Sequence, residues 1–262
     1  MVNKPTIVIA AVVLAAALGV FYYLHRHAAA PIAPAAVHPE AAPAEPAIAH
    51  PVPPAADTAS QGPLPALGDS DPALRDALGA VAGAEAVSQF LVPENIIRRL
   101  VVTIDNLPRQ KVPIAKRPTV AVPGSFMAVG DELHSTLDPK NFARYEPMVG
   151  VVRKLDMQRV AQVYLRFYPL FQQVYQDLGY PNGYFNDRLV EVIDSLLATP
   201  QPSGPIELTR PNVMYTYADP ALEARPAGQK LLLRMGPDNA AVIKAKLTEL
   251  RAIITAAPPP KH

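Results

Sequence analysis

The stretch DMQRVAQVYLRFYPLFQQVYQDL, residues 156–178, decides the fold of this chain. Its apolar residues recur at steps of one or three positions, which is the pattern of one face of an α-helix. Asp156 stands where an N-cap residue belongs, and Gly179 follows the last periodic residue, where glycine often ends a helix. Pro169 lacks an amide hydrogen and predicts a bend. Because so continuous an apolar stripe must be buried, other segments have to supply the opposite wall.

Shorter patterns of the same period surround this stretch and predict a mainly α fold. Ser70 or Asp71 can cap the first helix, and the turn 180–183 is short enough to join two antiparallel helices. Residues 125–134 are compatible with a small β-hairpin around Gly130-Asp131, and residues 206–217 alternate as an extended segment does. Residues 229–235 fit a helix or a strand. The predicted helices cover residues 73–82, 84–91, 94–106, 141–145, 147–155, 156–178, 186–198 and 238–256, with a short helical turn from Pro220.

The N-terminal residues 6–24, TIVIAAVVLAAALGVFYYL, carry no charge. At about 1.5 Å per residue, such a helix nearly spans a hydrocarbon core of roughly 30 Å. We therefore expect residues 1–27 to be a short tail and an uncleaved transmembrane anchor, with cleavage as a signal peptide near Ala28-Ala29-Ala30 as the alternative. Lys4 precedes the span, which favours an inner-membrane, single-pass protein with its C-terminal part in the periplasm.

Residues 28–68 are mostly alanine and proline, and the chain contains 31 prolines in all. This composition has too little apolar bulk for a core and predicts a disordered, semi-rigid stalk. A proline-rich docking ligand is the alternative interpretation. A mainly α, multi-helix globular domain over residues 69–257 and a tail over residues 258–262 complete the predicted organisation.

Composition and motifs exclude several classes of function. The chain has no cysteine, and its net charge of +1 gives no reason to expect a nucleic-acid partner. His134 is the only histidine in the predicted domain, so a two-histidine metal site is not available, and a serine triad would need His134 with Ser125 or Ser135. No phosphate-binding glycine motif is present. We predict no cofactor, no metal ion and no catalytic residue.

Basic residues at 98, 99, 109, 111, 116 and 117 fit a solvated loop or an anionic surface contact.

The richest polar and aromatic cluster lies at the start of the helix after residue 183. We predict that Tyr184, Asn186, Asp187 and Arg188 bind a ligand, because amides, charges and aromatic faces at a helix N-terminus suit a peptide or a sugar. In the alternative interpretation Asn186 and Asp187 cap the helix, the aromatic residues fill the core, and Arg188 pairs with a carboxylate.

Three segments resemble one bacterial, membrane-anchored family, known as domain of unknown function number 3014. They are LVPENIIRRLVVTIDNLP at 91–108, GYPNGYFNDRLVEVIDSLLATP at 179–200 and AGQKLLLRMGPDNAAVIKAKLTELR at 227–251. The resemblance implies no activity and no functional residues.

We therefore expect a membrane-anchored envelope protein whose helical domain binds a partner protein or a cell-wall polymer without catalysis. The oligomeric state is not predicted. The alternative is an envelope glycan hydrolase that uses a carboxylate pair. Its candidates are Asp187, Glu191 and Asp194, which share one helix face.

Overall fold

The central helix forms where its periodicity places it. The structure is a computed structural model that describes residues 47–53, 62–131 and 134–256. Helix α6 runs over Met157–Asp177, and the Asp156 carboxylate accepts hydrogen bonds from the amides of Gln158 and Arg159, as an N-cap does. The helix continues through Pro169. Phe167 and Val174 are completely buried, which confirms that the apolar stripe forms the core.

The wall opposite this stripe comes from the first and the third of three N-terminal helices and from helix α7 (Phe185–Leu197). Helices α1 (Ser70–Ala82), α2 (Ala84–Phe90) and α3 (Ile96–Asn106) correspond to the first three predicted helices, with shifted ends. Neither Ser70 nor Asp71 caps α1. The Asp71 carboxylate instead accepts hydrogen bonds from the amides of Asn95 and Ile96 and so caps α3, a helix later in the chain.

The remaining helices close the domain around this core. Helix α7 covers Phe185–Leu197, and the segment that fitted either a helix or a strand is helix α9. Helix α10 (Pro237–Ile254) contacts α5 (Glu146–Lys154), α6 and α7. The other bounds are Lys140–Ala143 for α4, Glu146–Lys154 for α5, Pro220–Glu223 for α8, Ala227–Met235 for α9 and Pro237–Ile254 for α10.

Two extended segments combine into a four-stranded antiparallel sheet in the order β1-β2-β3-β4. Strands β1 (Ala128–Gly130) and β2 (Ser135–Leu137) form a hairpin after the predicted turn residue Gly130, but β2 lies beyond the predicted range 125–134. Gly130 has the positive φ of 116° that a turn residue needs. Strands β3 (Glu207–Thr209) and β4 (Thr216–Tyr217) come from the predicted extended segment. The sequence did not predict that β2 pairs with β3 to join them.

The predicted anchor, residues 6–24, lies outside the described residues. Within 47–53, 62–131 and 134–256 there is no helix that is both long enough and apolar enough to cross a membrane. The predicted stalk is described in part. Segment 47–53 is hydrogen-bonded to the start of α7, and Leu64 and Leu67 pack on the main core cluster, so parts of the range 28–68 contact the domain.

Candidate functional site

The turn before α7 is fixed by a side chain from α6. The Gln172 carboxamide accepts a hydrogen bond from the amide of Phe185 at 2.8 Å and donates one to the carbonyl of Gly183 at 2.7 Å. Tyr184 is the N-cap residue, and its own side chain makes no capping bond. Asn186 and Asp187 therefore do not cap α7. Because Gln172 satisfies the helix end, their side chains are available for other contacts.

Three of the four predicted binding residues hold segment 47–53. The Asp187 carboxylate accepts hydrogen bonds from the amides of Ala49 at 3.1 Å and His50 at 2.6 Å. The Tyr184 hydroxyl accepts one from the amide of Val52 at 2.9 Å. The Asn186 amide donates one to the carbonyl of His50 at 2.9 Å. All four bonds go to main-chain atoms of the segment.

The side chains of the segment contribute less than its backbone. Ala47, Ile48, Ala49 and Pro51 are exposed, and Ile48 retains 53% of its accessible surface. Pro51 restricts its own φ and pushes the residue before it towards extended conformations. We call the surface formed by Tyr184, Asn186 and Asp187 the main-chain groove, because it binds main-chain atoms of a segment that bends at Ala49 and His50.

Asn186 also belongs to the interior. It is completely buried, it accepts a hydrogen bond from the Tyr164 hydroxyl at 3.0 Å, and it donates one to the carbonyl of Ile254 at 3.2 Å. Burial raises the pKa of the Tyr164 hydroxyl, so this phenol stays a neutral donor. Asn186 thus connects the core helices to the groove with a fixed amide orientation.

Arg188 faces an internal carboxylate and makes no described hydrogen bond to segment 47–53. Its guanidinium donates to the Asp105 carboxylate at 3.1 Å, to the Asp105 carbonyl at 2.7 Å and to Glu191 at 2.7 Å. Asp105 is buried, and it also accepts from Arg109 at 2.8 Å. Burial alone would lower the pKa of the Arg188 guanidinium, but the hydrogen bond to Glu191 and the charge of Asp105 raise it overall. The sequence interpretation in which Arg188 pairs with a distant carboxylate is therefore the one that the geometry matches.

The three carboxylates on the face of α7 have separate partners. Asp187 binds the segment, Glu191 binds Arg188, and Asp194 forms two hydrogen bonds with Arg251 at 2.6 and 3.0 Å. The bonds to Arg251 lower the pKa of Asp194. No two of these groups share a partner among the described residues.

A cavity of about 320 Å³ lies beside the groove. Its lining includes Tyr184, Asp187 and Arg188, while Asn186 is not part of it. The stacked rings of Tyr175 and Tyr180, with centroids 4.6 Å apart, form another part of the wall. The groove therefore has open space next to the position of the bound backbone.

The protein-family comparison places this site within a known domain. The family described as "Protein of unknown function (DUF3014)" matches residues 96–251, which is more than half of the chain. The chain belongs to the DUF3014 family. No curated protein and no solved structure matches it significantly. The groove residues lie inside the DUF3014 match, whereas segment 47–53 lies outside it. The groove therefore belongs to the family domain, whereas the segment bound in it, residues 47–53, precedes that domain in the chain.

The other candidate residues are not assembled into a site. His134 is 87% exposed in its side chain, its nearest carboxylate is Asp131, and the Ser135 hydroxyl bonds to the Asp131 carbonyl. In the basic run, Arg99 on α3 donates to carbonyls of the loop that follows this helix, and Arg109 pairs with Asp105. Within the described ranges, no group of three or more histidine and acidic residues is arranged to hold a metal ion.

Two contributors to the site were not predicted from the sequence. Gln172 lies on the central helix among apolar residues, and Asp105 lies 83 residues before Arg188. Neither belongs to a motif of fixed spacing. For Gln172, the one available sequence signal was a polar residue among the apolar residues of the central helix.

Proposed function

We propose that this DUF3014 protein is anchored in the inner membrane by residues 6–24 and that its periplasmic helical domain binds a partner protein without catalysis. The partner binds as a peptide whose main chain lies in the main-chain groove. One observation carries the proposal: three side chains of the domain hold four main-chain groups of segment 47–53.

Recognition of this kind does not depend on the sequence of the bound peptide. Because every bond goes to a backbone amide or carbonyl, another peptide that adopts the same bend can present the same groups at the same spacing. The adjacent cavity gives room for side chains that segment 47–53 does not use. Segment 47–53 then fills the groove until a partner peptide displaces it.

The other two sequence-based hypotheses draw less support from the site. A cell-wall polymer could bond to Tyr184 and Asp187, but the match to amide donors at 49, 50 and 52 favours a peptide. A glycan hydrolase needs two carboxylates directed at one substrate. Asp187 and Glu191 are instead directed at different partners.

Peptide binding in trans tests the proposal. A fluorescent peptide of residues 45–55 is titrated against a domain of residues 62–256, which lacks the segment, and its anisotropy is measured. We expect saturable binding that Asp187→Asn weakens by about tenfold, since hydrogen bonds to a charged acceptor contribute roughly 1.5–3 kcal/mol. Glu249→Gln, on the exposed face of α10, is the control and should leave binding unchanged. A folded domain that does not bind the peptide would refute the proposal.

A further inference from the structure

A second cavity shares no lining residue with the groove or with the cavity beside it. Its volume is about 500 Å³, and it is bounded by the sheet, by the loop after α7 and by the junction of α9 with α10. Its walls include Leu137 from β2, Phe142 from α4 and Leu233 from α9. Cavities of this size hold small organic ligands in many proteins.

The lining of this cavity is mostly apolar. Proline, leucine, isoleucine, valine, phenylalanine, alanine and glycine account for most of it, and Thr136, Thr199 and Gln201 are the neutral polar members. Such walls cannot satisfy a ligand with many polar groups, because each buried polar group without a partner is unfavourable. The cavity therefore suits a ligand with a long apolar part.

Lys244 is the one charged residue in the lining. Its ammonium donates a hydrogen bond to the carbonyl of Thr199 at 2.6 Å, which holds it at the wall. Among the described residues no carboxylate lies within ion-pair distance of it, whereas the neighbouring Lys246 pairs with Glu249. An ammonium has three donors, so two remain for an anionic group.

We propose that this cavity binds the aliphatic chain of a fatty acid, with the carboxylate of the fatty acid on Lys244. A single anionic head on an apolar chain matches a single cation in an apolar cavity. The bond between the two charged groups is charge-assisted and fixes the orientation of the chain. This site is independent of the main-chain groove and of its proposed partner.

Photolabelling of the full-length chain tests the site. The protein is reconstituted in phosphatidylcholine nanodiscs, labelled with dodecanoate that carries a diazirine on its chain, irradiated, digested and mapped by mass spectrometry. We expect label on residues 199–206 and 232–244, and we expect unlabelled dodecanoate to compete for it. Label confined to other parts of the chain would refute the proposal.

Two matched pairs of variants separate the charge from the cavity. Lys244→Met keeps the aliphatic stem but removes the ammonium, and it should lower the apparent affinity for dodecanoate about tenfold. Ala241→Phe fills the cavity from α10 and should abolish site labelling. Lys246→Met and Ala245→Phe lie on the same helix outside the lining and should behave as the parent chain. Equal labelling of all four variants would contradict the proposal.

Two further probes distinguish the ligand chemistry. A diazirine dodecanol lacks the charge and should label the site about tenfold less than dodecanoate. Equal labelling by the two probes would remove the role of Lys244 and overturn the proposal. Loss of dodecanoate labelling when phosphatidylglycerol replaces phosphatidylcholine would assign the cavity to a phospholipid chain and would also contradict it.

Discussion

Arg188 and Asp105 join two helices through an ion pair that water scarcely reaches. The Arg188 side chain is 16% exposed and the Asp105 carboxylate 6%. Removing one partner of a buried ion pair destabilises a protein by more than the intact pair stabilises it, because the remaining charge stays buried without a partner. Arg188 therefore has an internal partner as well as a place in the cavity beside the groove, and its role in binding stays a prediction.

The first prediction concerns this ion pair. Arg188→Ala should lower the free energy of unfolding by about 1–3 kcal/mol, because Asp105 keeps only part of its hydrogen bonding through Arg109. Thermal and urea denaturation measure this loss. Arg75→Ala, an exposed arginine on α1, should change stability by less than about 0.5 kcal/mol. An unchanged melting temperature for Arg188→Ala would return this residue to the list of binding candidates.

The second prediction concerns Asp194, whose pKa lies below its ordinary value of 3.8 because of the hydrogen bonds from Arg251. A carboxylate with a lowered pKa in the folded state stabilises the protein above its unfolded pKa and loses that effect as the pH falls through the folded value. The stability difference between the parent chain and Asp194→Asn should therefore be present at pH 7 and shrink below about pH 4. Arg251→Met should remove the same pH dependence. A difference that stays constant down to pH 2 would contradict this assignment.

At the scale of elements, local sequence signals placed the helices well. The step pattern of residues 156–178 and the capping position of Asp156 located α6, and both signals lie within the helix itself. The sheet could not be predicted in the same way, because β2 pairs with β3 across a long stretch of chain that contains four helices. A strand of three residues is too short for its alternation to identify a partner.

The site was predictable to the same extent as the fold, because its local residues could be identified and its long-range contacts could not. Tyr184, Asn186 and Asp187 stood out because polar residues gather at a helix start, but their role as backbone acceptors and donors depends on a segment more than 130 residues away. The sequence also predicted that 28–68 would be a stalk. Apart from Leu64 and Leu67, which pack on the core, its composition offers few apolar residues. The docking of 47–53 arises from main-chain bonds, which leave no trace in side-chain patterns.

The third prediction tests how α7 begins. Gln172→Ala should lower the free energy of unfolding by about 0.5–2 kcal/mol, since it removes both the cap of Phe185 and the bond to the Gly183 carbonyl. Gln173→Ala, at the adjacent exposed position of α6, is the matched control and should be nearly neutral. Equal effects of the two substitutions would show that Gln172 does not organise the turn.

At the scale of the whole molecule, the groove connects the folded domain to its linker. Segment 47–53 lies between the predicted anchor and the first helix, so its release would lengthen the chain between the domain and the proposed anchor. A partner that displaces the segment would then free the domain to move further from the membrane surface. In the proposed function, binding of the partner therefore changes how far the domain can move from its proposed anchor.

Hydrogen exchange at residue resolution on the full-length chain tests the central claim most directly. The amides of Ala49, His50 and Val52 donate to groove residues, whereas those of Ala47 and Ile48 make no bond in the described part of the chain. We predict slow exchange at 49, 50 and 52, fast exchange at 47 and 48, and acceleration of 49 and 50 by Asp187→Asn. Uniformly fast exchange across 47–53, unaffected by Asp187→Asn, would contradict the account.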